Sequence, residues 1–455
     1  MPNTAEVFSL QALADVLHRL GLSSATPLKI AFSGGLDSHV LLHALCRLRG
    51  QRSLHVSAIH VDHGLQPASG AWAQHCKLVC EQLNVPFASE RIQVTDIKLS
   101  GLEAAARAAR YACLARHVGA GDVLLTAQHL DDQAETVLLQ LLRGAGVPGL
   151  SAMPAMTRFS KGRMARPLLG FTRAQLLVYA TQEKLHWIDD ASNDDPRFSR
   201  NYLRHRVFPL LESRWPGAAR QIARAASLTA EASGLLEVLA ETDWHRCRIQ
   251  NTVTLSVAAL RQLPPPRLRN LIRYWLRTQG FQSPAAMNLD QVLVQIQAEP
   301  RTRQSVVRWP DAEVRRYRDA LVAIRPEPVM NAALKLPWNP VEPLNIPGVG
   351  LLRAVSAQGA GLSQERIGKS LLTVGLRQGG EVCRLPGRMH RHKLKKLLQA
   401  AGVPPWERGR LPLIYVNDEL AAIGDRWVCE PFAARTHEAG WKLELEFMQK
   451  SGRSK

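Results

Sequence analysis

The chain has 455 residues, more than one hydrophobic core comfortably organises, so two or three domains are expected, each able to bury an ordinary core. Lysine and arginine number 58 against 39 aspartates and glutamates, a net charge of +19 and an isoelectric point near 10.1, which favours a polyanionic partner because neutralising phosphates releases condensed counterions. No run of about 18 apolar residues could span a bilayer, the N-terminus lacks a basic start followed by an apolar stretch, and seven scattered cysteines do not make a disulfide framework; a cytoplasmic chain with reduced thiols and no membrane partner is expected.

Short apolar runs at 28–32, 54–61 and 122–127 read as buried strands, and 38–49, 69–83, 102–118 and 131–143 carry helical period. This alternation predicts an α/β domain with a doubly wound parallel sheet, whose ligands sit at the carboxyl ends of the strands. Cys76 and Cys80, four apart on the second of those helices, have no second pair at zinc spacing and read as packing residues.

Three loops lie at that edge. The first is Ser33-Gly34-Gly35-Leu36-Asp37-Ser38, where two glycines allow a sharp turn, successive N–H groups and a helix start can face an anion, and two serines add hydroxyls. Asp37 in the same turn would repel a triphosphate unless a divalent cation lay between them, so the loop predicts ATP with Mg2+ held by Asp37. The second, His60-Val61-Asp62-His63-Gly64-Leu65, places His60, Asp62 and His63 within reach of a base or ribose. The third runs from Thr126 through Gln128, His129, Asp131, Asp132 and Glu135 to Thr136. Glu135 shares a helix face with Asp131 or Asp132, and such acids suit a second metal contact or the capture of a cationic substrate.

A second region, 217–330, begins with an alanine-rich helical stretch and reads as a mostly helical, basic domain. From 244 to 289 it has no acid but carries Arg246, Arg248, Arg261, Arg267, Arg269, Arg273 and Arg277, the last three forming a stripe on one helix face. The proline-rich segment 331–350 reads as a stiff connector, and 351–445 as a small α+β domain with strands around one helix. That last domain holds the densest cationic run, Arg384, Arg388, Arg391, Lys393, Lys395 and Lys396, a surface for tracking phosphates. The tail from 449 reads as disordered.

Loop 33–38 resembles the pyrophosphate-binding loop of the ATP pyrophosphatases, the PP-loop family. Within them the chain is similar to the tRNA(Ile)-lysidine synthetases, through residues 60–65, Leu102-Glu103 with Ala106-Arg107 and Arg110-Tyr111, residues 126–142 with Arg143-Gly144-Ala145-Gly146, Arg166-Pro167-Leu168-Leu169, and 190–204. The likeness continues through Arg377-Gln378-Gly379-Gly380, 393–397 and Pro404-Pro405-Trp406-Glu407-Arg408. Gln128 and Gln66 depart from the family's usual histidine and arginine.

The resemblance implies a ligase. The C2 oxygen of the wobble cytidine in a CAU-anticodon tRNA(Ile) attacks the α-phosphorus of ATP, pyrophosphate leaves, and the ε-amine of L-lysine displaces AMP, which changes codon reading from AUG to AUA. It implies Asp132 and Glu135 as lysine-binding residues, His129 as a base, and Glu103, Arg107, Arg110, Asp131, Arg200, Asn201 and Arg204 completing the nucleotide and substrate sites. Arg388, Lys393, Lys395 and Lys396 would grip tRNA, and a homodimer is left open. A sulfur-inserting relative would carry a Cys-x-x-Cys pair, which the chain lacks; a small-molecule amide ligase would not need two basic C-terminal domains; and a non-catalytic RNA-binding module would not need Asp37 and the 131–135 acids.

Overall fold

The computed structural model describes residues 7–64, 69–93, 102–190, 194–299, 306–326, 330–331 and 333–447, with the side chains of 102–104 outside that set. Gln66, the side chain of Glu103 and the tail from 449 therefore lie outside the described residues. The chain divides into two compact units, Met1–Leu239 and Ala240–Lys455.

In the first unit the strands are β1 (Pro27–Ala31), β2 (His55–Asp62), β3 (Phe87–Arg91), β4 (Val123–Leu125), β5 (Met156–Phe159) and β6 (Gly162–Ala165). They form one sheet in the order β3-β2-β1-β4-β6-β5, parallel throughout except where β5 pairs antiparallel with β6. The chain builds one half of the sheet outward from β1 through β2 and β3, then returns to lay β4 against the other side of β1. The loops after β1 and β4 thus part in opposite directions, which opens a crevice at this switch point.

The helices are α1 (Leu10–Arg19), α2 (Leu36–Arg52), α3 (Ser69–Gln82), α4 (Leu102–Arg116), α5 (Leu130–Leu142) and α6 (Arg173–Gln182). Helix α2 is apolar on more than one face because it is enclosed: Val40, Leu41, Leu42 and Leu45 are buried with Leu13 and Leu17 of α1 and Leu176 of α6 in the main core. The unit continues through α7 (Ser199–Tyr202), a π-turn over Leu203–Val207 and α8 (Phe208–Arg214). Strands β3, β5 and β6 are additions to the three strands expected. They are short, and β3 and β5 are edge strands with half-exposed residues, so neither alternation nor an apolar run marks them.

The long helix α9 (Ala218–Cys247) is present as expected, and α10 (Pro265–Thr278) and α11 (Ala286–Gln297) follow. The same region also holds a four-stranded antiparallel sheet that the helical reading did not include. Its strands are β7 (Leu255–Ser256), β8 (Val306–Trp309), β9 (Ala312–Tyr317) and β10 (Ala320–Ile324), in the order β7-β10-β9-β8. Trp275, Leu271 and Ile272 of α10 and Val292 of α11 pack on Val314 and Leu321 of this sheet, so the helices owe their apolar stripes to it.

The proline-rich segment read as a connector instead supplies two strands, β11 (Lys335–Trp338) and β12 (Leu344–Ile346). Beyond it lie β13 (Gly350–Gln358), β14 (Leu362–Ser363), β15 (Leu372–Gly375), β16 (Val382–Cys383), β17 (His392–Lys393), helix α12 (Leu394–Ala400), β18 (Leu413–Val416), β19 (Glu419–Ile423), β20 (Trp427–Val428) and β21 (Ala439–Phe447). Two antiparallel sheets run in the orders β11-β15-β18-β19-β20 and β12-β13-β21-β14. Both proline-segment strands are edges, the position where a missing N–H costs no ladder bond, which reconciles Pro337 with pairing.

Candidate active site

The chain leaves β1 with Phe32 N–H still bonded to the Ile59 carbonyl at 2.9 Å, then turns at Gly34, whose φ is +83°. A Cβ there would come within 2.6 Å of Ile188 Cδ1 and 2.8 Å of Cys76 Sγ, so glycine is required twice over, by conformation and by space. Cys76 is thus a packing residue under the turn; burial pushes its thiol up to about 12. Ile188 N–H donates to the Gly34 carbonyl at 3.0 Å and pins the loop from outside. Inside it, Ser38 Oγ donates to the Gly35 carbonyl at 3.0 Å and lies 3.0 Å from Ser33 Oγ. Helix α2 makes its first internal bond from His39 N–H to Gly35 O, so the amides of Leu36, Asp37 and Ser38 have no acceptor within the helix and its positive end faces the crevice.

Opposite stands the start of α5. His129 is its N-cap, and His129 N–H donates to Asp132 Oδ2 at 3.1 Å. The His129 ring is 1 % exposed and lies among three carboxylates: Nε2 is 3.7 Å from Asp37 and 3.5 Å from Asp132, and Nδ1 is 3.3 Å from Asp131 without hydrogen-bond alignment. Burial alone would lower its pKa, but the three carboxylates outweigh burial and raise it, which favours the protonated ring. Asp37 is raised, first by burial and further by Asp132, against the pull of His129, Arg173 and Arg204. Its Oδ1 is buried and finds no hydrogen-bond partner among the described residues. An orphaned carboxylate oxygen beside an anion-binding turn fits a hard cation with oxygen ligands.

Asp131 accepts the Arg173 N–H at 2.8 Å; burial would raise its carboxyl, but His129 and that amide lower it. Glu135, 1 % exposed, receives both arms of Arg204, Nε to Oε1 at 2.7 Å and Nη2 to Oε2 at 3.1 Å, and Arg204 Nη2 also reaches Asp132 Oδ1 at 3.1 Å. Burial still leaves the Glu135 carboxyl raised. Arg204 belongs to the π-turn, whose extra residue re-aims the side chains that follow α7. Arg200 Nη2 donates to Thr136 Oγ1 at 3.2 Å, while Asn201 is buried and donates to the Asp195 carbonyl at 3.0 Å.

The residues at the end of β2 lie at the same edge but are largely engaged. His60 Nδ1 donates to the Phe32 carbonyl at 2.9 Å, and Asp62 Oδ1 accepts Gly64 N–H at 2.8 Å. Burial lowers both His60 and His63; Arg110 acts in the same direction on His63, whose Nδ1 is buried without a hydrogen-bond partner among the described residues.

A cationic group that no single motif announces gathers around Tyr111. Arg107 Nη2 donates to Tyr111 Oη at 3.4 Å, and the guanidiniums of Arg107 and Arg110 lie 4.9 and 5.6 Å from the ring centre. Burial would raise the phenol, but Arg107, Arg110 and Arg166 together lower it, and Gln128 is hydrogen-bonded to it. Arg166 is buried, bonded to the Pro154 carbonyl at 2.7 Å. Tyr111, Arg166 and Arg173 were missed as site residues; for the first two the signal was their place in the quoted motifs, while Arg173 acts through its backbone N–H on Asp131 and its charge on Asp37.

In the second unit, β16 and β17 pair as a two-stranded hairpin that presents the cationic run. Arg388, Lys393, Lys395 and Lys396 are exposed and in no ion pair among the described residues, while Arg384 pairs with Glu430 and Arg391 with Glu419. The acid-free stretch is balanced only in part: among the described residues two of its seven arginines, Arg267 and Arg269, meet a carboxylate. Arg267 forks onto the fully buried Asp243, Arg269 reaches Asp290 at 3.3 Å, and Arg261 binds the Ile296 and Ala298 carbonyls at 2.9 and 2.6 Å, capping the end of α11. Arg248 lies 4.7 Å from the Trp244 ring centre and Arg277 5.8 Å from that of Tyr274.

Three family models match the chain: a PP-loop domain over residues 8–211, a TilS substrate binding domain over 255–322 and a TilS substrate C-terminal domain over 372–445. Two relatives named tRNA(Ile)-lysidine synthase are 42 % identical over 93 % of this chain and 94 % of theirs (Coxiella burnetii) and 43 % identical over 94 % and 95 % (Alkalilimnicola ehrlichii). A third of that name, from Methylococcus capsulatus, is 40 % identical over 91 % and 95 %. Matched by family models in all three regions and by relatives at least 40 % identical over more than nine-tenths of its length, the chain belongs to the tRNA(Ile)-lysidine synthase family.

Proposed function

We propose that the chain is an ATP-dependent carbon–nitrogen ligase that joins L-lysine to C2 of the wobble cytidine of a CAU-anticodon tRNA(Ile). The observation that carries the reading is the meeting, at one switch point, of an anion-binding turn with Asp37 and the 129–135 acid cluster, in a chain alike in every domain to enzymes of that name. In the first step the cytidine C2 oxygen attacks the α-phosphorus and pyrophosphate departs. In the second the lysine ε-amine, having lost its proton, forms the C–N bond at C2 as AMP leaves with the C2 oxygen.

The turn's amides and the α2 N-terminus bind the polyphosphate and carry its charge from ground state to transition state without reorganising. Asp37, through the unpartnered Oδ1, would hold Mg2+, which would supply charge neutralisation on the departing pyrophosphate. His129, buried between Asp37, Asp131 and Asp132, positions these three carboxylates. Asp132 and Glu135 offer negative charge to the lysine ammonium, which would share them with Arg204. Arg107 and Arg110 face the opposite charge, the lysine carboxylate or a nucleotide phosphate. Among the described residues no helix is long and apolar enough to cross a membrane, and a tRNA substrate supports the reading of a cytoplasmic reaction.

Incubation with ATP, labelled lysine and an unmodified CAU-anticodon tRNA should place label in the tRNA and release AMP and pyrophosphate. Asp37→Ala should abolish the transfer. No label with the wild-type chain, or equal labelling by Asp37→Ala, would overturn the proposal.

A further inference from the structure

A groove of about 710 Å3 opens along the second half of α5, lined by Leu138, Leu141, Leu142, Tyr202, Val207 and Leu211, and none of its lining residues is acidic. Leu142 is 76 % exposed, Leu141 57 % and Tyr202 53 %, a contiguous apolar surface of the kind that marks an interaction site. Both of its walls are walls of the active site. Helix α5 carries Asp132 and Glu135 before it reaches the groove, and the segment with Tyr202 carries Arg200 and Arg204, bonded to Thr136 and Glu135. Leu142 lies seven residues after Glu135, about 10 Å along the helix axis.

The rim is cationic. Arg143, which caps the end of α5, lines the groove and is exposed and in no ion pair among the described residues, while Arg197, also in the lining, forks onto Asp195. Residues 196–220 carry six arginines, at 197, 200, 204, 206, 214 and 220, against the single acid Glu212. A second copy of this chain would bring the same cations against this rim and be repelled. An apolar floor with an exposed phenol and an unpaired guanidinium at the edge fits splayed RNA bases, whose faces stack on the floor while their phosphates meet the rim.

We propose that this groove receives the anticodon nucleotide following the wobble cytidine, stacking its base on Tyr202 and Leu142 and setting its phosphate near Arg143. The proposal rests on the reading of a CAU-anticodon tRNA as substrate. It gives the enzyme a second hold on the anticodon loop, independent of the flipped base that reacts, so that the wobble position is reached in register.

The test uses Tyr202→Ala, Tyr202→Trp and Leu142→Ser in the full chain, at positions exposed enough that folding is not at stake. The substrate tRNA carries 2-aminopurine in place of the adenine after the wobble cytidine, so that binding is read by fluorescence and turnover by lysine transfer. Tyr202→Ala should raise the KM for tRNA about tenfold and remove the fluorescence change seen with the wild-type chain, with the KM values for ATP and lysine unmoved; Tyr202→Trp should restore both. Unchanged tRNA KM and fluorescence in Tyr202→Ala and Leu142→Ser would overturn the proposal. So would a wild-type dimer that Leu142→Ser dissociates while tRNA KM stays the same, which would make the groove a self-contact. A wild-type chain that transfers no lysine would defeat the ligase reading, while the fluorescence signal would still decide the groove.

Discussion

Helix α10 and the β16–β17 hairpin each carry a run of cations without an acid between them; among the described residues carboxylates from elsewhere meet two of the four arginines of α10, and two of the six cations of the hairpin run, Arg384 and Arg391. Around α10, Arg267 is locked to Asp243, Arg269 reaches Asp290, and Arg261 binds the carbonyls at the end of α11. On the hairpin, Arg388, Lys393, Lys395 and Lys396 stand in solvent with no carboxylate partner among the described residues. Charge counted along a chain measures what is available to a partner only where the fold leaves it unpaired. A polyanion binds by displacing counterions from exposed cations, so the hairpin is the stronger phosphate-tracking surface.

The sharpest way to break that contrast is Arg267→Ala. Asp243 is 0 % exposed, and stripping its partner leaves a buried charge uncompensated, so the denaturant unfolding midpoint should fall clearly below that of the wild type. An unchanged unfolding midpoint together with weakened tRNA binding would reverse the roles assigned to the two segments.

The rule that a buried charge needs a partner is also sharpened by its exception in the first unit. His39 is 5 % exposed, and burial brings its pKa down to about 4, with the neighbouring His75 and His43 acting in the same direction. The unfolded ring binds a proton near its ordinary value and the folded ring does not. Stability should therefore fall as pH drops from about 6.5 towards 4, by up to about 3 kcal/mol from this group, and be fully present above 6.5. His39→Gln should flatten that part of the pH–stability curve measured by thermal unfolding; a curve parallel to that of the wild type would show that His39 stays charged.

Smaller effects separate the segments further. Arg388→Ala, Lys393→Ala and Lys395→Ala combined should weaken tRNA binding about tenfold at moderate salt, lower the magnitude of the salt slope by about 2 to 3, and leave ATP affinity and unfolding unchanged. Smallest of all, Arg269→Ala breaks an exposed pair and should cost under about 1 kcal/mol, with little change in tRNA affinity. If it matched the hairpin triple variant in tRNA binding, α10 would rank as an equal RNA surface.

Much of the first unit was legible because its signals are local. The glycine at position 34, the carboxylate at 37 and the apolar runs of β1, β2 and β4 sit within a few residues of one another, and local chemistry dictates their conformation. The edge strands β3 and β5 were not legible, since half-exposed edge residues carry little periodicity. Nor was the sheet beside α10 and α11, whose strands are separated by about fifty residues from β7 and read as part of a helical region. The prolines at 337 and 340 looked like a linker because the sequence does not say which strand will be an edge.

The sequence by itself determined that a phosphate-binding turn follows a strand, that acids crowd the start of another helix, and that both further domains are basic. These are matters of residue type and short spacing. Only the tertiary structure decided that His129 would be buried among three carboxylates, that Arg204 would close on Glu135 and Asp132 from some seventy residues away, and that Tyr111 would draw Arg107, Arg110 and Arg166 together. Burial and counter-ions set the charge state of each of those groups, and both depend on which distant segments the fold brings into contact. Asp37, read as the metal carboxylate from its place in the turn, gains its meaning in the same way. Its carboxylate faces His129 at the start of α5 because β4 returns to β1, and its Oδ1 is buried with no hydrogen-bond partner among the described residues.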